Sequence, residues 1–152
     1  QIDSFAILFP GCTTVGNLTI DGSAASPAIT NITALSSITK VTNNLKVVRT
    51  GITSLSALNT LTQIGDTLRM EHNALLTSIG LNNLTVLGGL YLLDLPELNT
   101  VSGLNNNLTQ IGGGVFIDSV NVSSLAGLTG ITRVNGSVSV ANTPLTTLNP
   151  LN

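Results

Sequence analysis

The feature that most constrains this chain is an apolar residue at every third position, in runs that each end in a short segment with alternating apolar residues. One such unit reads Ile52, Leu55, Leu58, Leu61 and Ile64, followed by Leu68 and Met70. A period of three matches neither an α-helix nor a single β-strand, whose side-chain periods are about 3.6 and 2.0. It is typical of a chain that turns a corner every few residues and points one side chain inward each time.

The unit recurs along the chain. The alternating segments begin at Leu18, Leu45, Leu68, Leu90, Val115 and Val138, at spacings of 27, 23, 22, 25 and 23 residues. Turn-forming residues such as Gly65-Asp66 and Gly112-Gly113-Gly114 precede these segments. Stacked repeats bury a continuous core that no single repeat could bury alone. The sequence therefore predicts an all-β protein, a parallel β-solenoid of about six coils with 22–27 residues each.

The N-terminal residues interrupt the repeat. The apolar residues that recur there at helical spacing are Ile2, Phe5, Leu8 and Phe9. Pro10-Gly11 ends this run, as expected at the end of a helix. We expect residues 1–12 to form a short capping helix over the first coil and residues 13–152 to form the solenoid as a single domain.

Composition and charge exclude several classes of function. Only 8% of the residues are charged, against roughly 25% in an ordinary globular protein. The cations are scattered, whereas nucleic-acid binding needs clustered ones. The longest apolar stretch, Phe5 to Phe9, is far shorter than the roughly 20 residues of a membrane span. Since the chain begins at Gln1 without Met, as in a mature secreted chain, we expect a secreted, extracellular or cell-surface location.

Catalysis and metal binding are not expected. The one cysteine, Cys12, falls in the N-terminal cap and the one histidine, His72, at the end of the third strand, which disfavours a catalytic pair. Zinc binding needs three or four His, Cys or carboxylate ligands, and His72 with Glu71 alone does not suffice. Glu71 and Asp118 fall two coils apart, roughly 10 Å, and the other carboxylates are spread along the chain. We therefore expect a protein that is not an enzyme and that has no cofactor and no metal.

The outward positions of the alternating segments contain the candidate binding residues. If the first residue of each segment points inward, the second and fourth point outward. These two columns read Thr19, Lys46, Arg69, Tyr91, Phe116, Ser139 and Asp21, Val48, Glu71, Leu93, Asp118, Ala141. Aromatic side chains beside cations are typical of interfaces. We predict a binding surface made of Lys46, Arg69, Tyr91, Phe116, Glu71 and Asp118. The alternative is that the cations only solubilise an edge and that a loop covers the aromatic rings.

A second column consists of threonines. Its members are Thr39, Thr62, Thr85, Thr109 and Thr132. Stacked threonines suit strands and hydrogen-bond between coils; the alternative is a regular hydroxyl array that binds ice or a crystalline polymer. Separately, Asp66-Thr67-Leu68 and Asp118-Ser119-Val120 resemble a bacterial O-glycosylation signal, so Thr67 and Ser119 are candidate modification positions.

Several segments resemble a known family. Gln1-Ile2-Asp3-Ser4-Phe5, Phe9-Pro10-Gly11-Cys12-Thr13 and Gly16-Asn17-Leu18-Thr19-Ile20 are similar to the start of receptor L-domain-like, leucine-rich-repeat-like modules of bacterial secreted surface proteins. The pattern Leu-Thr-x-Ile-Gly-x-x-Leu at 61–68, and its variant at 108–115, is similar to their repeat. The resemblance implies a right-handed parallel β-solenoid at the cell surface or outside the cell. It also implies recognition or adhesion without catalysis.

These observations predict a recognition or adhesion module that presents one solenoid face to an extracellular protein or glycan. The main alternative is a filament or sheath subunit that stacks head to tail on copies of itself. Leu145, Leu148 and Leu151 begin a coil without a closing strand, and such an uncapped end offers unpaired groups to another chain. Cys12 would then lie near the junction.

Overall fold

The computed structural model describes residues 5–26, 28–104 and 107–147. Within these ranges the chain forms a parallel β-solenoid of about five turns. The strands are β1 (Thr14–Val15), β2 (Leu18–Asp21), β3 (Lys40–Val41), β4 (Leu45–Val48), β5 (Gln63–Glu71), β6 (Val86–Leu95), β7 (Gln110–Ile111), β8 (Val115–Val120), β9 (Arg133–Val134) and β10 (Val138–Ala141). The short helices are α1 (Phe5–Leu8) and the 3₁₀ turns Thr33–Leu35, Ser56–Leu58 and Ala126–Leu128.

Successive turns pair in parallel and in register. The residues that begin the alternating segments lie side by side: Leu18, Leu45, Leu68, Leu90, Val115 and Val138. The predicted parallel β-solenoid and its repeat are therefore confirmed, with about five turns where the sequence predicted six coils. A parallel pair needs a long connection between its strands, and here the remainder of each turn is that connection.

The core is a continuous column of aliphatic side chains inside the turns. The residues of the three-residue period that are fully buried include Leu55, Leu58, Leu61 and Ile64, and the alternating segment adds Leu68 and Met70. The 3₁₀ turns occur at corners and point one leucine inward each, such as Leu35 and Leu58. Burial of each such side chain contributes about 1.5–3 kcal/mol. The turns therefore depend on their neighbours, because the side chains of one turn pack on those of the next.

The predicted N-terminal capping helix is not shown. Residues 1–4 lie outside the described part, and α1 is a single helical turn. Ile7, Leu8 and Phe9 are exposed and so do not pack over the first turn. Among the described residues of this segment, Phe5 and Cys12 pack against the core. The helix ends at Leu8, ahead of Pro10 and of Gly11, whose φ is 78°.

The opposite end of the described solenoid is less buried. Val138 of β10 is exposed and Val140 is half-buried, whereas their partners in β8 are buried. This difference arises because no described turn lies beyond β10. Leu148 and Leu151, the predicted start of another coil, fall outside the described residues. Head-to-tail stacking through this end stays a prediction.

The longer strands β4, β5, β6, β8 and β10 are called the main strands, together with β2. At the end of each main strand after β2, one residue at a corner adopts the left-handed backbone conformation. The φ angles are 50–55° at Arg49, His72, Asp94, Ser119 and Asn142. This conformation is uncommon for residues with a β-carbon and costs about 1–3 kcal/mol each. The backbone N–H groups of Arg49 and His72 donate to carbonyls of the next turn, so the inter-turn hydrogen bonding continues round the corner.

One buried asparagine fastens this corner. The side-chain carbonyl of Asn73 accepts from the N–H and the hydroxyl of Thr50, at 2.9 and 2.7 Å. Its amide donates to the carbonyls of Val47 and Glu71, both at 3.0 Å. The donors and the acceptor of this side chain are therefore satisfied, which removes the usual cost of burying a polar group.

We expect Leu68→Ala to lower the free energy of unfolding by about 2–5 kcal/mol, because it leaves a cavity between two neighbouring turns. Urea denaturation measures this change. Leu75→Ala is the matched control, since Leu75 is 54% exposed, and a surface substitution of this kind changes stability by about 0.5 kcal/mol or less. Equal losses in both variants would contradict the inward orientation of Leu68.

Candidate binding face

The outward face of the main strands brings four of the predicted site residues into one column. Lys46 of β4, Arg69 of β5, Tyr91 of β6 and Phe116 of β8 occupy the same register position in consecutive turns. All four are half-buried. These four residues are called the ladder below.

The ladder contains a continuous stack of planar groups. The Arg69 guanidinium carbon lies 4.1 Å from the centre of the Tyr91 ring. The rings of Tyr91 and Phe116 are nearly parallel, at 10°, with centroids 4.5 Å apart. Parallel strands in register are spaced by about 4.8 Å, so equivalent side chains of successive turns meet face to face. Cation–π contact and ring stacking each stabilise this arrangement.

Glu71 anchors the cationic end of the ladder. Its Oε1 accepts a hydrogen bond of 2.5 Å from Nη2 of Arg69, and its Oε2 lies 3.9 Å from Nζ of Lys46. Arg69 and Glu71 are two residues apart in β5 and therefore lie on the same face. The carboxylate fixes the guanidinium in position above Tyr91.

The solvent exposure that the sequence predicted for Val48 and Glu71 is wrong. They are only 3% and 7% exposed. Glu71 is buried because the long side chains of Lys46 and Arg69 fold over it to reach its carboxylate. Val48 lies beside Glu71 in register, directly before the corner at Arg49. Outward orientation in a strand therefore does not guarantee contact with water.

The environment of Glu71 favours its charged form. The hydrogen bond from Arg69 holds the pKa of Glu71 below its ordinary value of 4.5, and the positive charges of Arg69 and Lys46 act in the same direction. Burial raises the pKa but does not outweigh these effects. Glu71 is therefore a carboxylate at neutral pH, and the ion pair with Arg69 is formed.

The structure places Asp118 apart from the ladder. Leu93 separates it from Glu71 in register. Its Oδ1 accepts hydrogen bonds from Ser119 at 3.1 Å and from the amide of Asn142 at 2.8 Å. Asp118 therefore belongs to a polar group at the corner. In the neighbouring turns of the same corner, Nδ1 of His72 lies 2.8 Å from Oδ2 of Asp94.

A groove of about 770 Å³ lies beside the aromatic part of the ladder, and the sequence did not predict it. Tyr91 and Phe116 line it, together with a floor of glycines from successive turns: Gly65, Gly88, Gly89, Gly112, Gly113 and Gly114. A β-carbon at Gly88 would overlap the carbonyl oxygen of Gly65, so only glycine fits there. The paired glycines before the alternating segments were the available signal.

The candidate glycosylation positions differ in accessibility. Thr67 is half-buried and lines the groove, and its backbone N–H donates a hydrogen bond to Oδ1 of Asn44 in the neighbouring turn. Ser119 is exposed, and its hydroxyl donates to Asp118. Modification of either residue stays a prediction.

The threonine column takes part in bonding between turns. The hydroxyls of Thr39, Thr62, Thr85 and Thr132 donate to backbone carbonyls of Thr13, Thr39, Thr62 and Thr109 at 3.0–3.2 Å. The column is exposed, but these hydroxyl hydrogens already have partners. The contacts favour the structural interpretation of the column over an array that binds ice or a crystalline polymer.

Among residues 5–26, 28–104 and 107–147, no three His, Cys, Asp or Glu side chains come close enough together to hold a metal ion. In the same part of the chain, no helix has the length and hydropathy needed to cross a bilayer.

For the threonine column, we expect Thr62→Val to lower the free energy of unfolding by about 0.5–1.5 kcal/mol, the usual contribution of one hydrogen bond. The backbone N–H of Thr62 still donates to the Thr39 carbonyl, so that oxygen keeps one partner. Thr62→Ser, which keeps the hydroxyl, is the control. Thermal denaturation of the three proteins measures the difference, and a more stable Thr62→Val would show that the hydroxyl bond contributes nothing.

For the anchoring carboxylate, we expect Glu71→Gln to lower the free energy of unfolding by about 1 kcal/mol near pH 7, because solvent screens the two cations. Their side chains are 42% and 43% exposed. Since the folded-state pKa of Glu71 is depressed, the stabilisation is present above pH 4.5 and is lost as pH falls through the folded-state value.

Urea midpoints of the native protein and of Glu71→Gln, measured from neutral pH to acid below pH 4.5, test whether the ionised form of Glu71 stabilises the fold. The gap between the two proteins should be widest near neutral pH and should close in acid. A gap that widens in acid would mean that Glu71 is not held as a carboxylate.

Comparison with known proteins supports the resemblance found in the sequence. Neither the curated proteins nor the solved structures yield a match to the chain. The family model for the Receptor L domain matches residues 11–108, more than half of the chain. Receptor L domains are ligand-binding, non-catalytic domains that are typically extracellular. A β-solenoid with this match confirms the resemblance to receptor L domains, while an origin among bacterial secreted surface proteins stays a prediction. The chain therefore belongs to the receptor L domain family.

Proposed function

We propose that this protein is an extracellular recognition or adhesion module that binds a protein or glycan partner through the ladder face. Lys46, Arg69, Tyr91 and Phe116 supply the contacts. Glu71 acts as a positioning residue, because its carboxylate is buried and holds Arg69. Asp118 contributes from the adjoining corner, as a polar residue at the rim of the surface.

The observation that carries this proposal is the half-exposed stack of Arg69, Tyr91 and Phe116. The solenoid core consists of aliphatic side chains on the other face of the same strands, so the stack is not needed to fill it. Aromatic and arginine side chains dominate the binding energy of many interfaces. Side chains that are already ordered lose little conformational entropy when a partner binds.

The placement of the stack in the sheet also supports this function. The ladder residues come from β4, β5, β6 and β8, which are backbone-paired from turn to turn. Sites on strands are held more rigidly than sites on loops. The ladder face is therefore a fixed surface, and recognition does not require the chain to rearrange.

The test is the double substitution Tyr91→Ala with Phe116→Ala. We expect it to weaken binding to cells or extracellular matrix by roughly 30-fold or more, as for the loss of about 2 kcal/mol of hot-spot contacts. Solid-phase binding of the purified protein measures the change. Leu75→Ala removes an exposed apolar side chain that lies outside the ladder and should bind as the native protein does.

Far-UV circular dichroism and the urea midpoint of each variant show whether the fold is retained. A double variant that folds normally and binds at native strength would rule out the ladder face as the binding surface.

A further inference from the structure

The ladder column continues by one position beyond its last aromatic ring. Ser139 of β10 pairs with Phe116, and it is exposed. One face of the Phe116 ring lies on Tyr91, so the other face is directed toward the turn that contains Ser139. A serine side chain projects much less far from the sheet than a phenyl ring does. Ser139 therefore leaves the second face of Phe116 uncovered, and both residues line the groove.

The groove opens onto this same space. Phe116, Ser137 and Ser139 line it at one end, and Asn44, Asp66 and Thr67 line it at the other. The backbone of Gly112 to Gly114 lies between them. Amide, carboxylate, hydroxyl and backbone groups are donors and acceptors of the kind that bind hydroxyl groups. An apolar ring with a few placed polar groups is typical of small-ligand sites.

The charges around the groove indicate the kind of ligand. Of the residues that line it in the described chain, Asp66 is the one charged side chain. Lys46 and Arg69 of the ladder are engaged by Glu71. Neither cation lines the groove, so the charged side chain that an acidic ligand would meet there is Asp66, which would repel it, whereas an uncharged ligand would meet no such repulsion.

The direction of the groove argues against an extended peptide. It crosses the sheet from turn to turn, since its floor comes from residues 65–66, 88–89 and 112–114. A peptide that adds to a sheet needs the free edge of a strand. β6 pairs with β5 on one side and with β8 on the other, so the strand in the middle of the groove has no such edge.

We propose that this groove binds an uncharged oligosaccharide, with one pyranose ring stacked on the second face of Phe116 above Ser139. A pyranose ring has a face of C–H groups that packs on an aromatic ring and a rim of hydroxyls that Ser137, Ser139 and the glycine backbone can bond. The proposal rests on the proposed function and names the class of ligand for the ladder face. The sugar ring extends the stack of Arg69, Tyr91 and Phe116 by one member.

The chain contains one tyrosine and no tryptophan. The intrinsic fluorescence of the native protein therefore reports on Tyr91, inside the ladder. Titration with soluble oligosaccharides of glucose, mannose and N-acetylglucosamine should change this fluorescence for at least one of them. Heparin oligosaccharides, which are acidic, are the comparison and should not bind.

Three variants test the position of the sugar ring. Ser139→Phe fills the space above Phe116, and Phe116→Leu removes the stacking surface; each should weaken binding of the oligosaccharide by roughly tenfold or more. Ser139→Ala leaves the space open and removes one hydroxyl contact, so it should weaken binding much less than Ser139→Phe does. If Ser139→Phe does not fold, as judged by circular dichroism, Phe116→Leu still decides the outcome.

The proposal is overturned if none of the neutral oligosaccharides binds, if only heparin binds, or if Phe116→Leu binds as tightly as the native protein. Binding to cells treated with periodate or with protease separates this failure from failure of the proposed function. If Tyr91→Ala with Phe116→Ala loses cell binding that periodate spares and protease removes, the ladder face is correct and its partner is a protein. If the double variant binds cells normally, both proposals fail.

Discussion

Contact between successive turns is the interaction on which the rest of this structure depends. No turn can bury its own aliphatic side chains, so the core exists only where one turn lies on another. The same spacing of about 4.8 Å lets Thr62 donate to the carbonyl of Thr39 and Asn73 reach Thr50. It also places the rings of Tyr91 and Phe116 face to face. The fold and the candidate binding face are thus produced by one geometric repeat.

The two faces of each main strand obey different requirements. The inward side chains must fill the interior, and Leu68, Leu90 and Val115 are accordingly all aliphatic and buried. The outward side chains do not have to fill the interior, so Arg69, Tyr91 and Phe116 can occupy equivalent positions. Contacts among these side chains hold them in place, and the buried carboxylate of Glu71 fixes the position of Arg69.

Much of the fold could be predicted because side-chain period and strand register are properties of the sequence itself. The alignment of Leu45, Leu68 and Leu90 follows directly from the repeat. The burial of Glu71 could not be predicted, since it depends on how the flexible side chains of Lys46 and Arg69 bend. The groove was also missed, because its shape arises from glycines of several turns together. The predicted capping helix is not shown, because helical spacing does not reveal whether Ile7, Leu8 and Phe9 pack on the first turn, and they are exposed.

The corner with left-handed backbone conformation has a consequence for how such a protein can change. Arginine, histidine, aspartate, serine and asparagine all adopt nearly the same φ there in successive turns. The path of the chain at this corner is therefore compatible with several polar side chains, which are exposed and do not contribute to the core. A solenoid of this kind can diversify the chemistry along one edge by single substitutions while its interior remains unaltered, as an antibody varies its loops on a constant framework.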